Sequence, residues 1–131
     1  MDVKDIYEKT GGDYCDVVKR MGSEAMVAHF VVRFLSDGSM RELNDSFTVS
    51  DVERAFRAAH TLKGIALNLG FTELGKNAAV LTEILRKNSF DGAAPLFEKT
   101  RSAYDELISA IKEYSDKQAE KQVAFEKRNS T

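Results

Sequence analysis

The sequence predicts an all-α protein, an antiparallel four-helix bundle with one or two short helices at its N-terminus. Two observations support this prediction. Apolar residues recur at three- and four-residue spacing in the longer segments, whereas the alternation typical of strands is scarce. Pro95 is the only proline among 131 residues, of which 43% are hydrophobic, so the chain has room for long helices and one core. We expect a single domain over residues 1–131, with the bundle at about 23–115 and a polar, frayed extension at 116–131.

Two short helices are expected before the bundle. The first covers residues 2–9 and stops at the breaker pair Gly11 and Gly12. Asp13 is placed to cap a second helix that ends near Met21. Both are only about two turns long, so we expect them to cap one end of the bundle.

A longer helix follows, with Ser23 as its N-cap and Leu35 near its end. The Ser-Asp-Gly sequence at 36–38 marks a turn, after which a brief helix is expected to reach Asn44. His29 falls opposite the apolar stripe of the longer helix and is expected to face solvent. That stripe consists of Val27, Phe30, Val31 and Phe34.

The next helix is expected to begin near Ser50, because Ser50 and Glu53 have the spacing of a capping box. It ends at Gly70, a residue type that favours a helix C-terminus. At about 100° per residue, His60 lies on one flank of its buried stripe, so the imidazole is expected to be partly exposed. The stripe consists of Val52, Ala55, Phe56, Ala59, Leu62, Ala66 and Leu69.

Two more helices complete the predicted bundle. One starts after Thr72, a candidate N-cap, and runs to about Lys87. The other runs from Ala94 through Tyr114, with Pro95 in its first turn, where a missing N–H is tolerated. Their apolar residues are Leu74, Ala78, Leu81, Ile84 and Leu85 in the first, and Leu96, Phe97, Ala103, Tyr104, Leu107, Ile108 and Ile111 in the second.

His60, Lys63 and Gly64 lie within about one turn of their helix. An imidazole nitrogen is a nucleophile, an ammonium attracts anions, and a glycine leaves the backbone uncovered. This combination suits a small anionic group carried on histidine, and phosphate is the obvious candidate. An ordinary surface histidine is the alternative, but a glycine inside a helix costs about 1 kcal/mol relative to alanine. Close approach of another protein would explain Gly64, and so would helix packing within the bundle.

At this point the chain resembles a known family, the histidine-containing phosphotransfer (HPt) domain of two-component phosphorelays. The resemblance spans roughly residues 23–115 and includes Phe34, which sits where the family usually has a core phenylalanine. It implies that His60 accepts a phosphoryl group from a phospho-aspartyl receiver domain, or from a kinase, and passes it to another receiver. The residues that carry the resemblance are His60-Thr61-Leu62-Lys63-Gly64, Asn68-Leu69-Gly70, Leu74, Ala78 and Leu81.

The resemblance also implies the partners and the roles of neighbouring residues. The partners are response-regulator receiver domains and a hybrid histidine kinase, and the receiver holds the Mg²⁺, so this chain carries no cofactor. Lys63 would stabilise the phosphoryl oxygens, and Gly64 would let the receiver approach the ring. Arg57 either faces the acidic receiver pocket or is solvated, and Asn68 either touches the partner or caps the helix locally.

The chain departs from the family at the position that orients the histidine ring. HPt domains often carry Gln or Glu on the next helix, where the side chain can hydrogen-bond the imidazole. The matching position is Thr82, with Glu83 beside it. Thr82 is therefore the candidate for orienting the ring, although its hydroxyl is shorter than an amide or carboxylate side chain.

Composition and motifs argue against several functional classes. A formal net charge of −2 shows no basic footprint for nucleic acid, and no apolar run approaches a membrane span. The single Cys15 has no cysteine partner, and the sequence lacks a P-loop or a kinase ATP site. We therefore expect a cytoplasmic, free-standing protein that binds neither nucleic acid nor membrane and is not a kinase. The resemblance implies that it acts as a phosphocarrier. We expect a monomer, because the helix stripes are narrow enough to be satisfied within one bundle.

Three other functions are open to a chain of this kind. An HPt-like module that docks a receiver or kinase without relaying phosphate would use the same bundle, although docking alone does not require a nucleophile. The phosphoacceptor module of a chemotaxis-type kinase would need dimerisation and ATP-binding domains. An unrelated helical scaffold would leave the grouping of His60, Lys63 and Gly64 unexplained.

Overall fold

The computed structural model describes residues 1–129, and this part of the chain is all-helical. It contains seven α-helices and one 3-10 turn, with no strand in the same range. None of these helices is both long and apolar enough to cross a membrane. In chain order the elements are α1 (Val3–Thr10), α2 (Tyr14–Met21), α3 (Glu24–Arg33), the 3-10 turn (Phe34–Ser36), α4 (Ser39–Thr48), α5 (Val52–Asn68), α6 (Thr72–Leu85) and α7 (Ala93–Arg128).

The two predicted short N-terminal helices are confirmed as α1 and α2. Asp2 caps α1 in a reciprocal pair, because the Asp5 N–H donates to the Asp2 carboxylate (3.3 Å) and the Asp2 N–H donates to the Asp5 carboxylate (2.8 Å). Both helices end at a glycine in the left-handed region, Gly11 with a φ of 72° and Gly22 with a φ of 88°. Glycine adopts this conformation without a Cβ clash, which is why each helix stops there.

Two predicted helix caps are wrong. The cap of α5 is Asp51, whose carboxylate accepts the Arg54 N–H at 3.1 Å, whereas Ser50 has a φ of 55° and lies outside the helix. A cap needs an extended backbone immediately before the first turn, and the chain reaches that conformation at Asp51. Thr72 is the first residue of α6, so it does not cap that helix.

Helix α7 is longer than predicted, because it continues to Arg128 instead of ending near Tyr114. Residues 119–129 are exposed throughout, so packing does not hold this part of the helix. Backbone bonding and contacts one turn apart propagate it, for example the Gln122 amide donating to the Glu126 carboxylate at 3.1 Å. The structure thus differs from the expected frayed extension, of which residues 130 and 131 lie outside the described residues.

Helix α5 lies at the centre of the packing. It packs against α6 and α4, while α6 also packs against α7. The three-residue connection 69–71 makes α5 and α6 a helical hairpin. The helix after Ser23, α3, was expected to be a main element of the bundle, but it packs chiefly on α2. Helix α4 is longer than predicted and ends at Thr48 instead of Asn44. Of the predicted α5 stripe, the structure buries Ala55, Ala59, Leu62, Ala66 and Leu69.

The N-terminal segment holds the C-terminal end of α5. The Tyr7 hydroxyl donates to the Leu69 carbonyl at 2.7 Å, and the Asp13 N–H donates to the Gly70 carbonyl at 3.0 Å. Arg20 adds a bond from its guanidinium to the Leu67 carbonyl at 3.2 Å. The last carbonyls of a helix have no partners within it, and the Tyr7 hydroxyl supplies the donor for the Leu69 carbonyl. The Leu67 and Gly70 carbonyls also accept bonds from Gly70 and Thr72, so Arg20 and Asp13 add to bonds already present there.

Replacing the buried Tyr7 with phenylalanine is expected to lower the free energy of unfolding by about 1–3 kcal/mol, because the Leu69 carbonyl would lose its donor in a buried setting. Urea denaturation monitored by circular dichroism measures this loss. The control is Tyr14→Phe, which removes a hydroxyl bonded to the Glu24 carboxylate at the surface and is expected to cost less. Equal losses in the two variants would contradict the role assigned to Tyr7.

Candidate functional site

His60 lies in the middle of α5 with its side chain exposed. Its imidazole lies nearly parallel to the ring of Phe56 one turn earlier, with centroids 6.1 Å apart and an angle of 12° between the planes. Phe56 itself is half-buried at the edge of the core. The imidazole is therefore open to solvent on a rigid helix, with one aromatic neighbour. The sequence predicted an imidazole on the flank of the buried stripe, and the structure places it there.

Gly64, one turn after His60, faces open space. Apart from its two chain neighbours and the backbone of its own helix, a Cβ built on Gly64 would meet nothing within 4 Å in the described part of the chain. Gly75 of α6 is different, because a Cβ there would lie 2.5 Å from Cδ2 of Leu67. Internal packing explains the absence of a side chain at Gly75 but not at Gly64. The packing interpretation of Gly64 is therefore wrong, and the bare backbone beside His60 is free for another molecule.

Thr82 does not orient the ring of His60. Its side chain is fully buried, and its hydroxyl donates to the Ala78 carbonyl one turn earlier at 2.7 Å. That bond commits the hydroxyl to the interior of α6, whereas the imidazole lies at the surface. The assignment of Thr82 as the ring partner is therefore wrong.

Glu83, one residue further along α6, is the acidic group on the side of His60. The Arg86 guanidinium donates two hydrogen bonds to its carboxylate, at 2.9 and 3.2 Å, and thereby holds the pKa of Glu83 below its usual range. Lys63 and His60 lower that pKa further through their charge, which places all three residues in one neighbourhood. Arg86 is a residue of the site that the sequence patterns did not predict. Its spacing of three residues from Glu83 is typical of an ion pair on one helix face and could have indicated it.

Arg86 also lies over the ring of Phe56, with its Cζ 5.0 Å from the ring centroid. This distance is within the range of a cation–π contact. An open cleft of about 490 Å³ lies on the N-terminal side of His60, and its lining includes Phe56, Arg57, Arg86 and the acidic Glu53. Because Arg86 is paired with Glu83, Arg57 is the guanidinium of this lining that is left to attract an acidic group of a partner.

The remaining predicted residues lie on the exposed surface of α5. Lys63 is half-buried and lies one turn after His60. Arg57, one turn before His60, and Asn68, two turns after it, are exposed. No ion pair to Arg57 forms within residues 1–129. Over the same residues, no group of three His, Cys, Asp or Glu side chains is arranged to hold a metal ion.

A protein-family model described as the Hpt domain matches residues 33–114, which is more than half of the chain. The chain belongs to the Hpt domain family. No curated protein and no solved structure gives a significant match. The family assignment and the position of the helical hairpin agree with the resemblance read from the residues around His60.

Hpt domains take part in phosphotransfer in two-component signalling, where they interact with receiver domains and kinases. In this Hpt domain the matched region begins at the end of α3 and ends within α7. The donors that hold the end of α5, namely Tyr7, Asp13 and Arg20, therefore lie before the matched region. The segment that carries His60, Lys63 and Gly64 lies wholly inside it.

Proposed function

We propose that His60 accepts a phosphoryl group from a phospho-aspartyl receiver domain, or from a kinase, and passes it to another receiver in a two-component phosphorelay. The observation that carries this proposal is the exposed imidazole with open space over Gly64 beside it, in a chain of the Hpt family. A carrier needs a nucleophile that a second protein can reach, and this face of α5 provides one.

The transfer step involves the ring nitrogen remote from the backbone, Nε2, because it projects farthest from the helix. Its lone pair attacks the phosphorus of the aspartyl phosphate, so an N–P bond forms while the P–O bond to the aspartate breaks. The aspartate leaves as a carboxylate with the electron pair, and Nδ1 keeps its proton. Positioning and charge neutralisation dominate such transfers, and the Lys63 ammonium supplies a positive charge from this chain.

The docking face is formed by α5 and α6 around His60. Leu67, one turn beyond Gly64, exposes 48% of its surface, and Val80 of α6 exposes 50%. Val80 shares a face of α6 with Glu83, three residues on, and Leu67 lies two turns after His60 on the same face of α5. With Arg57 and Asn68 at the edges, this face combines an apolar centre with a polar rim, as partner-binding surfaces do.

We also propose the cellular setting and the partners of this phosphocarrier. The protein acts as a phosphocarrier without kinase activity, works in the cytoplasm as a monomer, and receives phosphate from a hybrid histidine kinase through its receiver. The receiver supplies the catalytic Mg²⁺. The fold proposed for it is the antiparallel four-helix arrangement, with α4, α5, α6 and the first half of α7 as the four helices.

The test is transfer of radiolabel from a panel of phosphorylated receiver domains to the purified protein in the presence of Mg²⁺. We expect label on the protein that is labile in acid and stable in base, as phosphohistidine is. Receivers that bind the protein without transferring label would overturn the relay and support a docking module instead.

Replacing Lys63 with alanine is expected to slow transfer about 10- to 100-fold. The phosphoryl oxygens would lose a charge-assisted contact of roughly 1.5–3 kcal/mol, and each 1.4 kcal/mol changes a rate about tenfold. Single-turnover transfer from the most active receiver measures the rate. Lys99→Ala, at an exposed position on α7, is the control and should transfer at the wild-type rate. A wild-type rate for the Lys63 variant would remove this lysine from the mechanism.

A further inference from the structure

We propose that Phe56 is a positioning residue for phosphotransfer and holds the imidazole of His60 by stacking. This inference rests on the proposed function of His60. The two rings lie nearly parallel, 6.1 Å between centroids, on successive turns of α5. That separation is within the range of favourable aromatic pairs. An exposed side chain without such a neighbour would sample several rotamers.

A positioning contact is needed because hydrogen bonding does not hold the ring. Among the described residues, no side-chain hydrogen bond reaches His60, since Thr82 is bonded to Ala78 and the carboxylate of Glu83 is occupied by Arg86. Stacking has a chemical advantage at this position. It acts from one side of the imidazole and uses neither ring nitrogen, so both stay free for phosphate and partner.

Phe56 is itself held from the neighbouring helix. Arg86 lies over its ring at 5.0 Å, and the two bonds to Glu83 fix the guanidinium. The half-buried ring of Phe56 also packs against the core. A continuous series of contacts therefore runs from α6 through Arg86 and Phe56 to His60. The orientation of the nucleophile depends on the α5–α6 hairpin as a unit.

Phe56→Leu removes the aromatic face and keeps an apolar side chain. We expect the transfer rate within the receiver complex to fall about three- to tenfold, the factor that corresponds to one aromatic pair. The rate is measured at saturating receiver, so that a change in receiver affinity does not enter it. The three-bond Hα–Hβ couplings of His60, measured by NMR, should shift from those of one rotamer toward an average. Phe56→Tyr restores an aromatic face and should restore both the rate and the couplings.

Phe90→Leu is the matched structural control, because Phe90 is also half-buried and its ring contacts Phe47, with centroids 4.9 Å apart. It should leave the rate and the couplings of His60 unchanged. A wild-type rate in Phe56→Leu, equal slowing in both leucine variants, or failure of Phe56→Tyr to rescue would each overturn the positioning role. If the wild-type protein accepts no label, the relay fails, and unchanged couplings in Phe56→Leu would separately refute the stacking.

Discussion

His60→Gln is expected to abolish phosphoryl transfer to this protein and to leave its fold intact. Glutamine has a side-chain amide, whose nitrogen is not a nucleophile, so the phosphoryl group has no acceptor. The side chain is exposed with one aromatic neighbour, and substitutions of this kind change stability by less than about 1 kcal/mol. Labelling from a phosphorylated receiver and circular dichroism measure the two parts of the prediction.

His29→Gln is the matched control for this experiment. His29 is the other histidine of the chain, and it is exposed on α3, as expected from its position opposite the apolar stripe. Its substitution should leave labelling at the wild-type level. Undiminished labelling of the His60 variant, or loss of labelling only in the His29 variant, would refute His60 as the phosphoacceptor.

Gly64→Gln is expected to weaken receiver binding on the order of tenfold or more while the protein becomes slightly more stable. A side chain at this position enters the open space beside His60, and its Cβ meets no neighbouring helix of the described chain within 4 Å, so it obstructs only a partner. Glutamine is a better helix former than glycine by roughly 0.5–1 kcal/mol, which raises the free energy of unfolding. A tenfold loss of affinity corresponds to about 1.4 kcal/mol.

Titration with an unphosphorylated receiver and urea denaturation measure these opposite changes. Ser102→Gln adds a similar side chain at an exposed position on α7 and should leave the affinity unchanged. Unchanged affinity in the Gly64 variant would show that the receiver does not approach the backbone at this point. A loss of stability there would show a packing role for Gly64 that the geometry does not contain.

The helical period explains why so much of the site could be predicted. Residues three and four apart share a helix face whatever the rest of the fold does, so the grouping of His60, Lys63 and Gly64 follows from spacing alone. The same argument placed His60 beside the buried stripe of α5. Glycines at Gly11 and Gly22 likewise predicted helix ends, because the left-handed conformation is a property of the residue itself.

The choice between adjacent residues could not be predicted in the same way. Ser50 and Asp51 are both good capping residues, and the direction in which the chain enters α5 makes Asp51 the cap. Thr82 and Glu83 differ by about 100° around α6. The rotation of α6 against α5 buries Thr82 and leaves Glu83 exposed on the side of His60.

Helical periodicity and residue chemistry thus account for the all-α class, the nucleophile on α5 and its neighbours on the same helix, because these depend on contacts within one turn. Packing between helices accounts for the rest: the open space over Gly64, the stacking of Phe56 under Arg86, and the bond from Tyr7 to the end of α5. Tyr7 and Leu69 are 62 residues apart in the chain. No local pattern encodes such a pair, since its formation depends on how whole helices are placed against one another.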